Sequence, residues 1–440
     1  MDNLKSKTLF LLYFIVFLVT LSDIPLIALY TIVKSDFLAR FLLYSIEIII
    51  ISIFFYLLLV LSKKKLPSFI YVYIFYIILA ALISLLFYNA HAVLRDLRKF
   101  LAPLPLLVAG YYFGLSFYRE RERYIEKFIF FLTVMSVIGL IEWVFWYLPY
   151  DSITQFYSKY FDVGSYYHYI RQTSNIESSG MLSSGIRPAG FLIPDSIKRL
   201  TGFYCEPLSA GFNAAFAVVL ILYCKISGYR IKRSNVFIII NFTALILTTS
   251  RGAYLFLFLF LFSYMLIQRS RVALFIFASA AASFIFTPLK NLFITSAGEP
   301  HGRAISLFSS HFLNNLFSFG GLFGGGISAR FSGYDIYDTV LLYTESGYGA
   351  IFSQLGLVGL LSLLLLLISV ITRISYSKEN KFFVLGLVMS IAVLLLFAGY
   401  PFGYKTFGLI YLFLGFIMVR QPSMCSLNFG KLADIDRRGK

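Results

Sequence analysis

The chain has few charged residues and few of the residues that build metal sites or disulfide frameworks. Charged residues occupy 13% of the 440 positions, whereas hydrophobic residues occupy 59%. Of the three cysteines, Cys205, Cys224 and Cys425, no two have a spacing suited to a metal or form an obvious pair. This composition excludes a soluble globular domain and gives no support to a zinc site or a disulfide framework.

The chain also lacks the motifs of nucleotide-dependent enzymes. No Walker-type glycine motif is present, so nothing indicates ATP hydrolysis, and the Asp335/Asp338 pair does not resemble the metal site of a nucleotide-sugar transferase. The net charge is +17, but the basic residues are scattered between apolar runs. We therefore expect neither a cofactor, a metal nor a nucleic-acid partner, and most of the charge fits the positive-inside rule of membrane proteins.

Long apolar runs dominate what is present. About 20 apolar residues cross a bilayer, and the sequence predicts twelve transmembrane helices, at roughly 8–31, 41–62, 68–88, 101–118, 127–148, 206–227, 234–250, 253–268, 272–288, 347–371, 382–400 and 403–420. The first run lacks a small-residue cleavage site, so it is interpreted as a retained helix. Basic clusters such as Lys63–Lys65 and Arg119–Arg123 favour both termini in the cytoplasm. No internal repeat and no paired broken helices are visible, which disfavours a transporter.

Two long polar connections divide the spans. The predicted organisation is helices 1–5 in 1–148, a first outer loop in 149–205, helices 6–9 in 206–288, a second outer loop in 289–346, helices 10–12 in 347–420, and a cytoplasmic tail in 421–440. Within the second loop, apolar residues at helical spacing from Ile305 to Leu316 predict an amphipathic helix on the membrane surface. Glycines at 320–326 predict a turn after it, and they would let the loop close over both of its ends.

The outer loops carry arginines on the side where arginines are usually scarce. Arg251 lies in a sharp turn between two apolar spans, where a charge needs a counter-charge or a water-filled cavity. Each arginine alone could snorkel to the interface or pair with an acid. Together they favour a polyanion site, because guanidinium groups bind phosphate bidentately. The other members of the set are Arg187, Arg199, Arg303 and Arg330.

Carboxylates and histidines on the same side could act as bases. Glu206 and Glu345 each precede an apolar span, and a carboxylate there could accept the proton of a sugar hydroxyl. Either could instead be a helix-start carboxylate stabilised by the helix dipole. His301 and His311 in the second loop are alternative bases or surface histidines.

Four short motifs, in order, resemble those of Wzy-type O-antigen or exopolysaccharide polymerases, in the O-antigen ligase/polymerase superfamily. They are Arg199-Leu-Thr-Gly-Phe-Tyr-Cys-Glu206-Pro207, Thr249-Ser250-Arg251-Gly252, Gly302-Arg303, and Glu345-Ser346 leading to Gln354-Leu-Gly356. Arg187-Pro-Ala-Gly190 repeats the arginine-to-glycine spacing. The resemblance covers residues 187–360; residues 1–150 match only as generic spans.

The resemblance implies an all-α polytopic membrane protein similar to the GT-C class, in the bacterial inner membrane, with a periplasmic active site. It implies joining of repeat units carried on undecaprenyl diphosphate, without metal or nucleotide sugar, and a chain-length regulator as a possible partner. Arg199, Arg251 and Arg303 would bind the donor diphosphate, and Glu345 would lie near the acceptor hydroxyl. Related ligases carry a histidine around the Glu345-Ser346 position, which favours a polymerase here. A ligase and a flippase for lipid-linked units remain the alternatives.

Overall fold

The computed structural model describes residues 2–21, 36–61, 68–101, 103–147, 200, 204, 207–267, 317–327, 347–373, 378–397 and 403–419. Within these ranges the regular structure is helical, with no strand. In chain order the helices are α1 (Asp2–Thr20), α2 (Asp36–Leu61), α3 (Ser68–Ser84), α4 (Ala90–Leu101), α5 (Pro103–Ser116), α6 (Arg121–Tyr147), α7 (Pro207–Ile226), α8 (Ser234–Thr248), α9 (Arg251–Ile267), α10 (Phe319–Phe323), α11 (Gly347–Arg373), α12 (Lys378–Phe397) and α13 (Tyr404–Ile417).

The all-helical architecture suits a membrane protein. Three of the described stretches, Tyr118–Val144, Leu208–Ile226 and Gly347–Thr372, are long and apolar enough to cross a bilayer, and several shorter apolar helices accompany them. The predicted all-helical class is confirmed within the described ranges. The number of twelve spans and the GT-C likeness stay predictions. The predicted span at 272–288 and the predicted surface helix at 305–316 lie outside the described residues.

Helix α7 forms the centre of the bundle. It contacts α6, α8, α9, α12 and α13, and 83% of its membrane-length segment is buried inside the protein, compared with 33% for the α6 segment. Small residues make this possible, because Gly211, Ala214, Ala215 and Ala217 let neighbouring helices approach closely. α7 therefore runs through the centre of the bundle from one end to the other.

The most extensive helix pair is α5 with α13, and glycines bring their backbones together. A Cβ atom added at Gly110 would overlap the carbonyl oxygen of Leu412, and one added at Gly415 would overlap the carbonyl oxygen of Leu107. Gly110 and Gly114 are four residues apart, which is the spacing of small residues in close membrane-helix pairs.

Contacting residues show the relative directions of several helices. Leu106 meets Gly408, and Gly114 meets Phe416, so α5 and α13 run parallel. Phe130 packs on Phe237, and Ser136 bonds with Asn241, so α6 and α8 also run parallel. The predicted alternation of spans requires the same directions for these pairs. Which end faces the cytoplasm stays a prediction.

A buried asparagine joins α6 to α8. The Asn241 side chain accepts a hydrogen bond from the Ser136 hydroxyl at 2.8 Å and donates one to Thr133 Oγ1 at 2.9 Å. Asn241 is fully buried. Polar contacts between helices of this kind hold membrane bundles together where the hydrophobic effect offers little preference.

We expect Asn241→Leu to reduce the free energy of unfolding by about 1 kcal/mol, within the range of interhelical hydrogen bonds in membrane proteins. Thermal unfolding of the detergent-purified protein measures the change. Asn235→Leu is the matched control, because Asn235 lies on the same helix and its hydrogen bond, accepted from Lys225 at 2.9 Å, is exposed to solvent and should contribute little. Equal stability of the two variants would show that the α6–α8 bond contributes nothing.

Helix α11 is broken near its first third. Gly356 has φ 66° and ψ −167°, outside the helical region, and a glycine-rich segment at 317–327 packs against the break. No sequence pattern indicated this break, because a single glycine in an apolar run is compatible with a continuous helix. The turn predicted at the glycine run is found only in its second half: Gly324 and Gly326 have positive φ angles, whereas Gly320 and Gly321 lie in the short helix α10.

Candidate functional site

The turn between α8 and α9 places Arg251 at the first position of a helix. Thr249 adopts a left-handed conformation with φ 45° and closes α8. The Ser250 carbonyl accepts a hydrogen bond from the Tyr254 amide at 3.0 Å, so Ser250 is the residue that caps α9. The Tyr254 hydroxyl donates to the Ile246 carbonyl at 2.6 Å, which fixes α9 against the end of α8.

Three helices begin at the end of the bundle where this turn lies. In α7, a Cβ atom added at Gly211 would lie 2.8 Å from Ser250 Cβ, so α7 is in close contact with the turn. The ring of the next residue, Phe212, lies 5.9 Å from that of Phe256 in α9 and 4.8 Å from that of Phe407 in α13. α7, α9 and α13 thus all begin at this end of the bundle, which we call the Arg251 end.

Convergent helix starts create a favourable electrostatic environment for an anion. Each helix N-terminus carries unsatisfied N–H groups and about half a positive charge from the helix dipole. Anions, and phosphate groups in particular, bind at such positions. Three helix starts at one end of the bundle, with an arginine as the first residue of α9, favour a polyanionic ligand over a neutral one.

Three buried hydroxyl groups at the Arg251 end find no hydrogen-bond partner among the described residues. They belong to Tyr204, Thr249 and Ser250. Tyr204 lies three residues before α7, and Ser250 is only 1% exposed. Leaving a buried polar group unpaired costs about 1–3 kcal/mol, so these hydroxyls are suited to bonding a ligand or water. Burial raises the pKa of the Tyr204 phenol, which keeps it a neutral donor at neutral pH.

The structure describes only part of the predicted site. Arg251 is the first residue of α9, although its side chain is outside the description, and the remaining predicted residues lie outside the described ranges altogether. These are Arg187, Arg199, Glu206, His301, Arg303, His311, Arg330 and Glu345. The residue after Arg199 is described, and the Leu200 amide donates to the Leu247 carbonyl at 2.9 Å. The chain therefore returns to the α8–α9 turn immediately after Arg199.

The buried hydroxyls were the part of this site that the sequence interpretation did not assign. Tyr204, Thr249 and Ser250 all lie within the motifs quoted above, beside Glu206 and Arg251. The sequence shows that these three residues neighbour the predicted site residues Glu206 and Arg251. Their burial was not, because it depends on the packing of α7 against the α8–α9 turn.

The opposite end of α7 holds a half-open cavity of about 790 Å³ with charged walls. Arg119, Arg121, Arg123 and Arg230 line it together with Glu120, Glu122 and Glu126. Burial raises the pKa of the Tyr229 phenol in its wall, and the nearby Arg121 partly offsets that effect. Mixed charges give this cavity little net preference for an anion. It lies at the end that the sequence predicts to be cytoplasmic, one α7 length (about 30 Å) from the Arg251 end.

Comparisons with known proteins identify no relative: no protein-family model, no curated protein and no solved structure matches the chain. No group of three or more metal-ligating side chains occurs within the described ranges.

Proposed function

We propose that the chain is a membrane glycosyltransferase that polymerises undecaprenyl-diphosphate-linked oligosaccharide repeat units at the periplasmic face of the bacterial inner membrane into O-antigen or exopolysaccharide. One observation carries the proposal: three helices begin at the Arg251 end, and three buried hydroxyls there have no hydrogen-bond partner among the described residues. This arrangement fits a ligand that combines a diphosphate with sugar hydroxyls.

In this proposal the reaction is a single displacement that inverts the anomeric centre. A sugar hydroxyl of the incoming lipid-linked unit attacks the anomeric carbon of the growing glycan. A new glycosidic C–O bond forms, the C–O bond to the diphosphate breaks, and undecaprenyl diphosphate leaves with the bonding electrons. Glu345 accepts the proton of the attacking hydroxyl, as a general base.

The arginines have an electrostatic role in the same scheme. Arg251 and Arg303 neutralise the charge that grows on the leaving diphosphate, which is most effective where water is excluded. Arg187, Arg199 and Arg330 hold donor and acceptor, with Glu206, His301 and His311 as further polar contacts. The reaction needs neither a metal nor a nucleotide sugar. A chain-length regulator would be a separate protein partner.

A transporter for the same lipid-linked units is the second candidate, and the break in α11 is the observation that favours it. Discontinuous helices often line substrate sites in transporters, although these usually occur in pairs within repeated halves. The predicted basic residues gather at the outer face, as a transferase that acts there requires.

Deletion of the gene in its bacterial host tests the proposal. We expect surface glycan that stops at one repeat unit, and restoration of long chains by the wild-type gene. Complete loss of glycan from lipid A-core would instead identify a ligase. Accumulation of lipid-linked units on the cytoplasmic leaflet would identify a transporter.

A further inference from the structure

The segment 317–327, inside the predicted second outer loop, is held by α3 and by the break in α11. The amides of Gly325 and Gly326 donate to the carbonyls of Ser353 and Gln354 at 2.9 Å and 3.1 Å. The Tyr76 hydroxyl of α3 donates to the Leu355 carbonyl at 2.6 Å. Three consecutive carbonyls just before the break thus receive hydrogen bonds from outside their own helix.

The far side of the segment is bound to the end of α3. The Tyr88 hydroxyl donates to the Gly325 carbonyl at 2.6 Å, and the Ile327 amide donates to Ser84 Oγ at 2.7 Å. Ile327 itself is fully buried. These bonds satisfy backbone groups on both sides of the segment, which is the condition for irregular backbone at membrane depth.

Glycines on both partners make the contact possible. Gly324 and Gly356 have φ angles of 81° and 66°, which side-chain-bearing residues rarely adopt. A Cβ atom added at Gly324 would overlap the backbone of Gln354, and one added at Gly356 would overlap the backbone of Leu322 and Gly324. The break and the segment fit each other at backbone level.

The contact reaches from the end of α3, at Ser84, inward to the middle of the helix at Tyr76. Tyr76 is the middle residue of α3, and its hydroxyl is 3.4 Å from the Phe323 carbonyl. Leu355 is the ninth residue of α11, about 12 Å from its start at 1.5 Å per residue. Because α3 and α11 are both apolar throughout, a contact at this level lies within the hydrocarbon region if these helices cross the bilayer.

The side of the segment away from α11 is aromatic and open. Phe317, Phe319 and Phe323 are 87%, 79% and 48% exposed, and the last two rings lie 5.1 Å apart. α3 next to them presents an exposed apolar face of its own, which includes Phe75, Leu79 and Leu82. The aromatic side of the segment therefore extends the apolar face of α3.

We infer that residues 317–327 form a re-entrant element, which descends into the membrane beside α3, docks its glycines into the break of α11 and presents Phe317, Phe319 and Phe323 to the acyl chains of the bilayer. Continuity with the apolar face of α3 is the reason for choosing lipid as the partner. The inference does not depend on the proposed enzymatic activity.

This element changes the role of the glycine run. The sequence interpretation made these glycines a hinge that lets the loop close, but Gly324, Gly325 and Gly326 are each held in close backbone contact. Residues 317–327 therefore hold the predicted second outer loop at a fixed point and divide its sequence into a first arm, 289–316, and a second arm, 328–346. Arg303 belongs to one arm, and Arg330 and Glu345 belong to the other.

Nitroxide labels in a cysteine-free variant reconstituted into liposomes test the inference. A label on Phe319→Cys should be relaxed more by oxygen than by a water-soluble nickel chelate, to the same extent as a label on Phe75→Cys, the lipid-facing control in α3. A label on Ser309→Cys, in the predicted first arm, should show the opposite preference. Both readouts are independent of which way the protein inserts.

A label at a second position controls for a local perturbation by the first label: Phe317→Cys should show the same preference for oxygen as Phe319→Cys. Preferential relaxation of both labels by the nickel chelate, as at position 309, would overturn the re-entrant element. A third variant tests the docking: Gly324→Val, labelled at 319, should shift towards the aqueous pattern. An unchanged lipid pattern there would show that the fit with the α11 break does not hold the segment in place.

Discussion

Replacing Arg251 with alanine should abolish chain extension while leaving the protein folded. The guanidinium at the start of α9 stabilises the departing diphosphate in the proposed reaction, and removal of one such electrostatic contact lowers turnover by about 10²–10³-fold. The measurement is the rate at which purified protein in liposomes converts lipid-linked repeat units into longer chains. Arg251→Lys keeps the charge but loses the bidentate fork, so it should retain an intermediate rate.

The matched control is Arg230→Ala. Arg230 is exposed and lines the cavity at the opposite end of α7, so its loss should leave the extension rate unchanged. Full activity in Arg251→Ala would remove this residue from the diphosphate site. Equal losses in both variants would point to a general effect of basic residues on lipid binding instead.

The close backbone contact between α5 and α13 should make Gly110→Ala strongly destabilising. The added Cβ would overlap the Leu412 carbonyl oxygen, and the obstacle is backbone, which cannot move by rotating a side chain. Overfilling a packed site commonly costs about 1–3 kcal/mol, and we expect about 3 kcal/mol here. Thermal or denaturant unfolding in detergent measures it.

Gly386→Ala is the control, because the same substitution there meets a milder steric contact. Its added Cβ would lie 3.3 Å from the Tyr264 amide nitrogen, a contact that a shift of a few tenths of an ångström relieves. We therefore expect Gly386→Ala to lose less than 1 kcal/mol, a small part of the range for overpacking. A Gly110→Ala protein as stable as Gly386→Ala would mean that α5 and α13 are not in backbone contact.

The helical class was predictable because composition alone requires it. A chain with 59% hydrophobic residues in long runs can satisfy its backbone in a bilayer as helices, and the described residues are helical. The glycine run at 320–326 predicted a turn that the structure has at Gly324 and Gly326, where φ is positive as glycine permits, but Gly320 and Gly321 are helical instead.

Features that depend on a distant partner were not predictable. In the sequence, Gly356 resembles any glycine in an apolar helix. The break becomes apparent only in the structure, where Gly324 and Gly326 pack against residues 354–356. Likewise, the spacing of Gly110 and Gly114 indicates close packing but does not identify α13 as the partner.

The candidate site was likewise predictable only in part. The sequence singles out Arg251 because a charge among apolar spans is unfavourable in free energy. The structure adds that α7, α9 and α13 begin at the same end of the bundle. The Ser250 hydroxyl is buried where Gly211 brings α7 close to the α8–α9 turn, a contact that no local pattern reveals.

Reconstitution with a defined substrate tests the central claim most directly. The purified protein would be placed in liposomes that contain undecaprenyl-diphosphate-linked repeat units, and the glycans would be separated by size. We predict a ladder of chain lengths together with release of undecaprenyl diphosphate. Repeat units that stay single in the presence of folded protein, or that appear only as one capped product when lipid A-core is added, would contradict a polymerase.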